Sequence, residues 1–373
     1  MFRISIFGFR IYMSSLKNKN ILVTGGAGFI CSHTIDALVK KEYQVRILDS
    51  LAKPIHQSGK PNYLNKEVEF VKGDVRDRAT WEKSLKDIDI VFHFAAYQDY
   101  LPNFSKYLDV NAKGTALLYE IIIEKKLPIE KIIIASSQAI YGEGKYKCQN
   151  SHIIYPSQRP LKDLRNKKWD FFCPHDKLRL TPQWVKEDDF IDPHNQYGIS
   201  KYSQEKIGVH LGRRYQIPTV ALRYSIVQGP RQSPFNLYSG ALRIFVTHLL
   251  AGKSPVIFED GEQIRDFVNI SDVVTANILV LENKKTAYEV FNVGGGKKYT
   301  INEFYKIVQQ VLKTNIPAKK DGSFRLGDTR HIASSIEKIK KLGWTPKHSI
   351  EQSIKSYTNW IQTLPNFNKI WKR

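Results

Sequence analysis

The chain has 373 residues, 42% of them hydrophobic and 25% charged, with 22 Gly and 16 Pro, an ordinary globular mixture that excludes a disordered or collagenous chain. No apolar run reaches the ~18 residues that cross a bilayer, which excludes a helical integral membrane protein. Basic residues outnumber acidic ones by 57 to 36, for a net +21, yet the lysines are spread over the whole length, so a solvated basic surface is expected rather than a nucleic-acid partner.

Met1 to Tyr12 mix basic and apolar residues but are too short and too interrupted by arginine for a signal peptide. Residues 1–19 are read as an N-terminal extension, with Met13 a second candidate start. From Asn20 the pattern changes. Short strand runs, Ile21-Leu22-Val23, Val45-Arg46-Ile47-Leu48, Val68-Glu69-Phe70-Val71, Ile90-Val91-Phe92-His93 and Lys131-Ile132-Ile133-Ile134-Ala135, alternate with helical stretches. That spacing predicts repeated βα units and an α/β fold with a doubly wound parallel sheet. Between Gly142 and Asp192 the periodicity fades into a stretch rich in Pro, Lys and aromatics, read as an insertion over 143–192. A helix at Tyr197 to Arg214 and a strand at Val220 to Arg223 follow, then a more irregular C-terminal third ending in a helix from Ile350 to Leu364. Three cysteines, Cys31, Cys148 and Cys173, are too scattered for a disulfide framework and point to a reducing cytoplasm.

Thr24-Gly25-Gly26-Ala27-Gly28-Phe29-Ile30-Cys31 lies between the first strand and a helical run. Glycines there let backbone approach a pyrophosphate, with the helix N-terminus facing its charge. The next strand ends in Asp49, placed to accept hydrogen bonds from an adenosine ribose and to repel a 2′-phosphate, which favours NAD over NADP. Cys31 stands where a third glycine would allow tight helix-to-strand packing.

These residues, together with Gly73-Asp74-Val75-Arg76-Asp77, His93-Phe94-Ala95-Ala96, Asn111-Ala112-Lys113-Gly114-Thr115, Ser136-Ser137 and Tyr197-Gly198-Ile199-Ser200-Lys201, resemble the extended short-chain dehydrogenase/reductase family from about Asn20 to Pro346. The resemblance implies a Rossmann-type NAD-binding domain over 20–225 and a smaller, irregular substrate-binding domain over 226–373, with 266–294 returning to the first. It implies cofactor contacts at Gly25, Gly28, Phe29, Ile30, Asp49, Asp74, Val75, Phe94, Ala95, Ala96, Asn111, Tyr197, Lys201 and Tyr224. Tyr and Lys at i and i+4 share a helix face, so an ammonium can lower the phenol pKa from its usual ~10. By resemblance Tyr197 exchanges the substrate's hydroxyl proton, Lys201 holds the cofactor ribose and Ser137 positions the reacting oxygen. Arg265, Arg325 and Asp328 resemble the residues that grip a nucleotide-diphosphate sugar, while Ile226 replaces a common phosphate-binding Asn. A homodimer is implied as well.

Dehydratases of this family resemble one another in an acid pair directly after the catalytic Ser or Thr. Gln138 and Ala139 occupy those places and can exchange no proton. What remains resembles the nucleotide-sugar 4-epimerases, with a UDP- or dTDP-hexose substrate. A dehydrogenase, reductase or decarboxylase on the same scaffold stays open, because fold and cofactor do not fix net chemistry. A non-catalytic nucleic-acid-binding member runs against the intact Ser137, Tyr197 and Lys201. The insertion carries Cys148, His152, Cys173, His175 and Asp176, of which Cys173-Pro174-His175-Asp176 looks like a decayed Cys-x-x-Cys. With only two thiolates, a plain structural loop or substrate lid is expected there and no metal.

Overall fold

The computed structural model describes residues 19–57, 59–236 and 240–365; of the expected N-terminal extension only Lys19 falls within them. Seven strands form one parallel sheet: β1 (Asn20–Thr24), β2 (Gln44–Asp49), β3 (Glu69–Lys72), β4 (Ile90–His93), β5 (Lys131–Ser137), β9 (Thr219–Tyr224) and β13 (Val290–Val293). Their spatial order is β13-β9-β5-β4-β1-β2-β3. Alternation along the strands builds both faces at once. Ile21, Val23, Ile47, Phe92, Ile133 and Leu222 enter one apolar cluster, and Leu22, Leu48, Val91, Ile132, Ile134 and Ala221 the other. Helices α1 (Phe29–Lys40) and α7 (Ile270–Glu282) pack together on the first face. On the second, α3 (Gly114–Glu124) packs with α2 (Arg78–Ser84) and with α5 (Gln196–Arg214). The strand order reverses between β1 and β4, and a crevice opens there at the carboxyl ends of the strands.

Two glycines fix the geometry around that crevice. Gly25 has φ +70°, and a Cβ on it would stand 2.9 Å from Ala95 Cα, so the first turn and the end of β4 can meet only through a residue without a side chain. Gly142, at φ +60°, lies where a Cβ would overlap the carbonyl oxygen of Asp192. The insertion therefore leaves and re-enters the domain through a narrow neck. Within it, β6 (Tyr146–Lys147), β7 (Ile153–Ile154) and β8 (Thr181–Pro182) make a small antiparallel sheet, with a short helix α4 (Leu161–Arg165) between β7 and β8.

The remaining chain folds beside the crevice. Short strands β10 (Ile226–Gln228) and β12 (Phe267–Asn269) pair in parallel, and β11 (Ile264–Arg265) pairs antiparallel with β14 (Tyr299–Thr300). Over them lie α6 (Gly240–Leu250), α8 (Ile301–Leu312) and α9 (Ile350–Gln362), whose apolar faces meet around Phe245, Phe267 and Phe304. Capping boxes, Thr300 with Glu303 and Ser349 with Gln352, set where α8 and α9 begin. Among the described residues no helix is long and apolar enough to cross a membrane.

Candidate active site

A cavity of about 850 Å³ runs along the carboxyl ends of the sheet, from the glycine turn after β1 to a loop bearing Arg325 and Asp328. Gly25, Gly28, Phe29, Ile30, Asp49, Asp74, Val75, Phe94, Ala95, Ala96 and Tyr224 all line it. Asp49 is buried and oriented by two backbone donors, Ala27 N at 2.9 Å and Leu51 N at 2.7 Å. Asp74 accepts from the Arg76 guanidinium at 3.0 and 2.8 Å, which holds its carboxyl below the usual range. Cys31 fits without a glycine because its thiol turns inward toward the Thr24 carbonyl, 3.7 Å away, and burial raises its pKa far above that of a free thiol.

Asn111 is placed differently from the expectation. It is fully buried in a π-helical turn, Leu108–Lys113, and does not line the cavity. Its amide instead clamps the backbone of Tyr97, accepting from Tyr97 N at 2.7 Å and donating to Tyr97 O at 3.1 Å, and donates to Ser200 Oγ at 2.9 Å. It braces the wall that the cavity uses.

Ser137, Tyr197 and Lys201 all line the cavity, and Ser137 hydrogen-bonds Tyr197. β5 ends at Ser137, and Asn195 caps α5 by accepting from Gly198 N at 2.8 Å, which fixes the first turn that carries Tyr197. Burial pushes the Tyr197 phenol up to about 12, and a hydrogen bond with Ser137 works against that rise. Burial lowers Lys201 to about 7, and its Nζ donates to Gln204 Oε1. Gln204 in turn donates to Thr115 Oγ1 at 3.1 Å, and Thr115 meets the ring of His93 at 2.8 Å. Beneath the site Ser136 donates to Glu205 at 2.6 Å, and Glu205 accepts two bonds from Arg223 at 2.9 and 2.6 Å. Gln138 is buried, with Ser334 Oγ 3.4 Å from its Oε1, and Ala139 N donates to Ser137 Oγ at 3.1 Å. Among the described lining residues the carboxylates are Asp49, Asp74 and Asp328.

The far end is less simple than the motifs suggest. Arg325 is sandwiched between the Tyr100 and Phe258 rings, 4.2 and 4.7 Å from their centroids, and donates to Tyr100 OH at 2.7 Å. Arg265 lines the cavity, but its Nη1 and Nη2 donate to the carbonyls of Ile264, Arg330 and Thr329 at 2.8, 3.1 and 2.7 Å. Much of the guanidinium that would grip the substrate is thus spent on holding the loop that carries Arg325 and Asp328. Lys106, Arg231, Gln232 and Phe258 also line the cavity and were not legible as site residues. Lys106 lies in a one-turn helix and the others in aperiodic loops, where only Arg231, directly after Gly229-Pro230, carried any local signal.

A doubly wound sheet with a glycine turn at its switch point and a Ser, Tyr, Lys group across the crevice is the architecture of the extended short-chain dehydrogenase/reductases. The profile of the NAD-dependent epimerase/dehydratase family matches residues 21–161 and 179–294, and the chain belongs to that family. A dTDP-L-rhamnose 4-epimerase from Burkholderia thailandensis is 32% identical over 359 residues, covering 93% of this chain and 96% of the relative. The crystal structure of UDP-glucose 4-epimerase from Thermotoga maritima with UDP-glucose superposes with a TM-score of 0.76 at 31% identity, covering 92% and 98% of the two chains. A UDP-glucuronic acid 4-epimerase variant from Bacillus cereus, in complex with a fluorinated UDP-sugar and NAD, gives a TM-score of 0.76 at 27% identity over 93% and 100%. The break in the profile match, 162–178, falls inside the insertion.

Proposed function

We propose that the protein is an NAD-dependent nucleotide-sugar 4-epimerase acting on a UDP- or dTDP-hexose. The observation that carries this reading is that Ser137, Tyr197 and Lys201 line one cavity with the glycine turn, while Gln138 and Ala139 beside them supply no acid. The glycine cradle suits a dinucleotide: side chains are excluded at Gly25, and Asp49 is held ready as an acceptor. Gly25, Gly28, Phe29 and Ile30 would hold its pyrophosphate, Asp49 and Asp74 its adenosine, and Lys201 the second ribose. When bound there, NAD would supply the reversible hydride acceptor that chemistry at sugar C4 needs.

Tyr197 takes the proton of the C4 hydroxyl at its phenolic oxygen, and Ser137 Oγ orients that hydroxyl. A phenol near 12 is a poor base at neutral pH, so it needs a neighbouring cation. Lys201 supplies it when its ammonium turns from Gln204 toward the cavity. Tyr197 returns the proton after the 4-keto sugar has presented its other face. Arg325, stacked between Tyr100 and Phe258, anchors the nucleotide diphosphate while the sugar turns, with Asp328 beside it.

The test is incubation with UDP-, dTDP- and GDP-sugars without added reductant, following C4 configuration by NMR and NADH by absorbance. Interconversion of C4 epimers with no net NADH is expected. Tyr197→Phe lowers turnover ~10²–10⁴-fold while NAD binding survives; undiminished epimerisation by that variant refutes the assignment.

A further inference from the structure

The insertion brings together groups that lie far apart in sequence. The Sγ atoms of Cys148 and Cys173 and a carboxylate oxygen of Asp176 all lie within 4.8 Å of one another. Both thiols are buried and free. None of the three residues lines the active-site cavity, so the catalytic machinery does not account for them. Each cysteine sits in a turn whose backbone N–H groups bond both its carbonyl and its sulfur. Ser151 N donates to Cys148 O at 3.0 Å and His152 N to Cys148 Sγ at 3.3 Å; Lys177 N donates to Cys173 O at 3.0 Å and His175 N to Cys173 Sγ at 3.4 Å. Each turn ends in a residue of left-handed backbone, Ser151 at φ +67° and Lys177 at φ +61°. Each sulfur is thus supplied with a backbone N–H, the kind of outer partner that orients a metal-bound thiolate. Asp176 Oδ1 accepts from Leu178 N at 2.9 Å, whereas its Oδ2 is shut away from solvent with no hydrogen-bond partner among the described residues. A buried carboxylate oxygen without a donor is costly unless something positive meets it.

We propose that Cys148, Cys173 and Asp176 form a structural site for a zinc-like divalent cation, distinct from the active site. Zinc takes thiolate at about 2.3 Å and carboxylate at about 2.0–2.2 Å, which puts tetrahedral ligand atoms roughly 3.5–3.8 Å apart. A small contraction of the observed cluster reaches that arrangement. Binding replaces the two thiol protons, which pass to solvent. The three protein ligands leave a fourth position to solvent, or to the exposed imidazole of His152 or His175 after a side-chain rotation, since neither ring reaches the cluster as it stands. The module has need of such a staple. Its three strands are two residues long, and its own apolar cluster consists of Tyr146, Cys148, Cys173 and Leu180 with Ile154 and Phe171 beside them.

The test uses the full chain, purified under nitrogen, with zinc measured by mass spectrometry and the chelator-treated protein titrated with cobalt(II). About one metal per chain is expected, with a thiolate-to-cobalt charge-transfer band and the strong visible bands of a tetrahedral site. Cys148→Ser and Asp176→Asn weaken both. Asp176→Cys, which adds a third thiolate and does not depend on tolerating a loss, raises the charge-transfer intensity by about half. Weak octahedral cobalt spectra with substoichiometric zinc overturn the proposal. So does a Cys148–Cys173 disulfide, seen as one titratable thiol per unfolded chain where three are expected.

Discussion

Two regions of the molecule, the core of the sheet and the junction of the insertion with the substrate side, are held by different forces. Around β1, β2, β4 and β5 the interior is apolar, and consecutive strand residues feed the two clusters in turn. Where the insertion meets the substrate side, the interior is ionic. Arg159 donates twice to Glu259 at 2.9 Å and once to Asp328 O at 2.8 Å. Arg330, wholly buried, bonds Glu259 at 2.9 Å, Asp260 at 2.7 and 2.8 Å and Asp170 at 2.9 Å, while its backbone N–H donates to Glu143 at 2.6 Å. Apolar packing is tolerant of local change; a buried ion network works only with all its members. The sheet interior is thus built as a frame, and the junction of insertion and substrate side as a set of mutually dependent charges that fix one loop position.

That contrast can be broken at several points. The largest effect is expected at Arg330→Met, which strands Glu259, Asp260 and Asp170: stability falls by ~3–5 kcal/mol in denaturant melts, and KM for the nucleotide sugar rises more than kcat falls. Unchanged stability would mean the network is ornamental. Next comes Asp266, at the β11–β12 seam, whose carboxyl is buried and pushed up to about 6. The folded protein keeps this proton where the unfolded chain has released it, so this group's contribution to stability falls as pH rises from about 4 to 6, by ~3 kcal/mol. Asp266→Asn flattens that part of the pH profile. A smaller loss is expected on the apolar side, where Ile133→Val removes one buried methylene and costs ~0.5–1.5 kcal/mol, with KM unmoved. The smallest concerns the exposed Lys41–Glu282 pair at 2.8 Å: Lys41→Ala changes stability by less than ~1 kcal/mol, and less still at high salt. A large effect there would show that charge, rather than its burial, is what matters.

The same division decided what could be read from the sequence. The strands from Ile21 to Ala135, the turn at Gly25 and the Tyr197, Lys201 pair were legible because each is written in a local period or spacing. Cys31 was a departure on paper and is accommodated by a rotamer that faces Thr24. Asn111 matched a motif, but a motif cannot say which side of a wall a side chain occupies. Arg265 and Arg325 look alike in sequence. Three backbone carbonyls engage the first and two aromatic rings frame the second, and those partners come from Thr329, Arg330, Tyr100 and Phe258, remote along the chain. The Arg159–Glu259 pairing spans 100 positions, beyond any periodic signal. The meeting of Cys148 and Cys173 likewise depends on the aperiodic stretch between them folding back.

The neck at Gly142 and Asp192 has a further consequence for how such a molecule changes over generations. Ser137 lies just before it and Tyr197 just after, so the two groups are registered by the neck and not by what hangs beyond it. For a loop whose ends are already pinned, each doubling of length costs only ~0.6 kcal/mol of closure entropy. The segment between can therefore change in length without respacing the groups that perform the chemistry, provided Glu143, Arg159 and Asp170 keep their partners across the buried ion network.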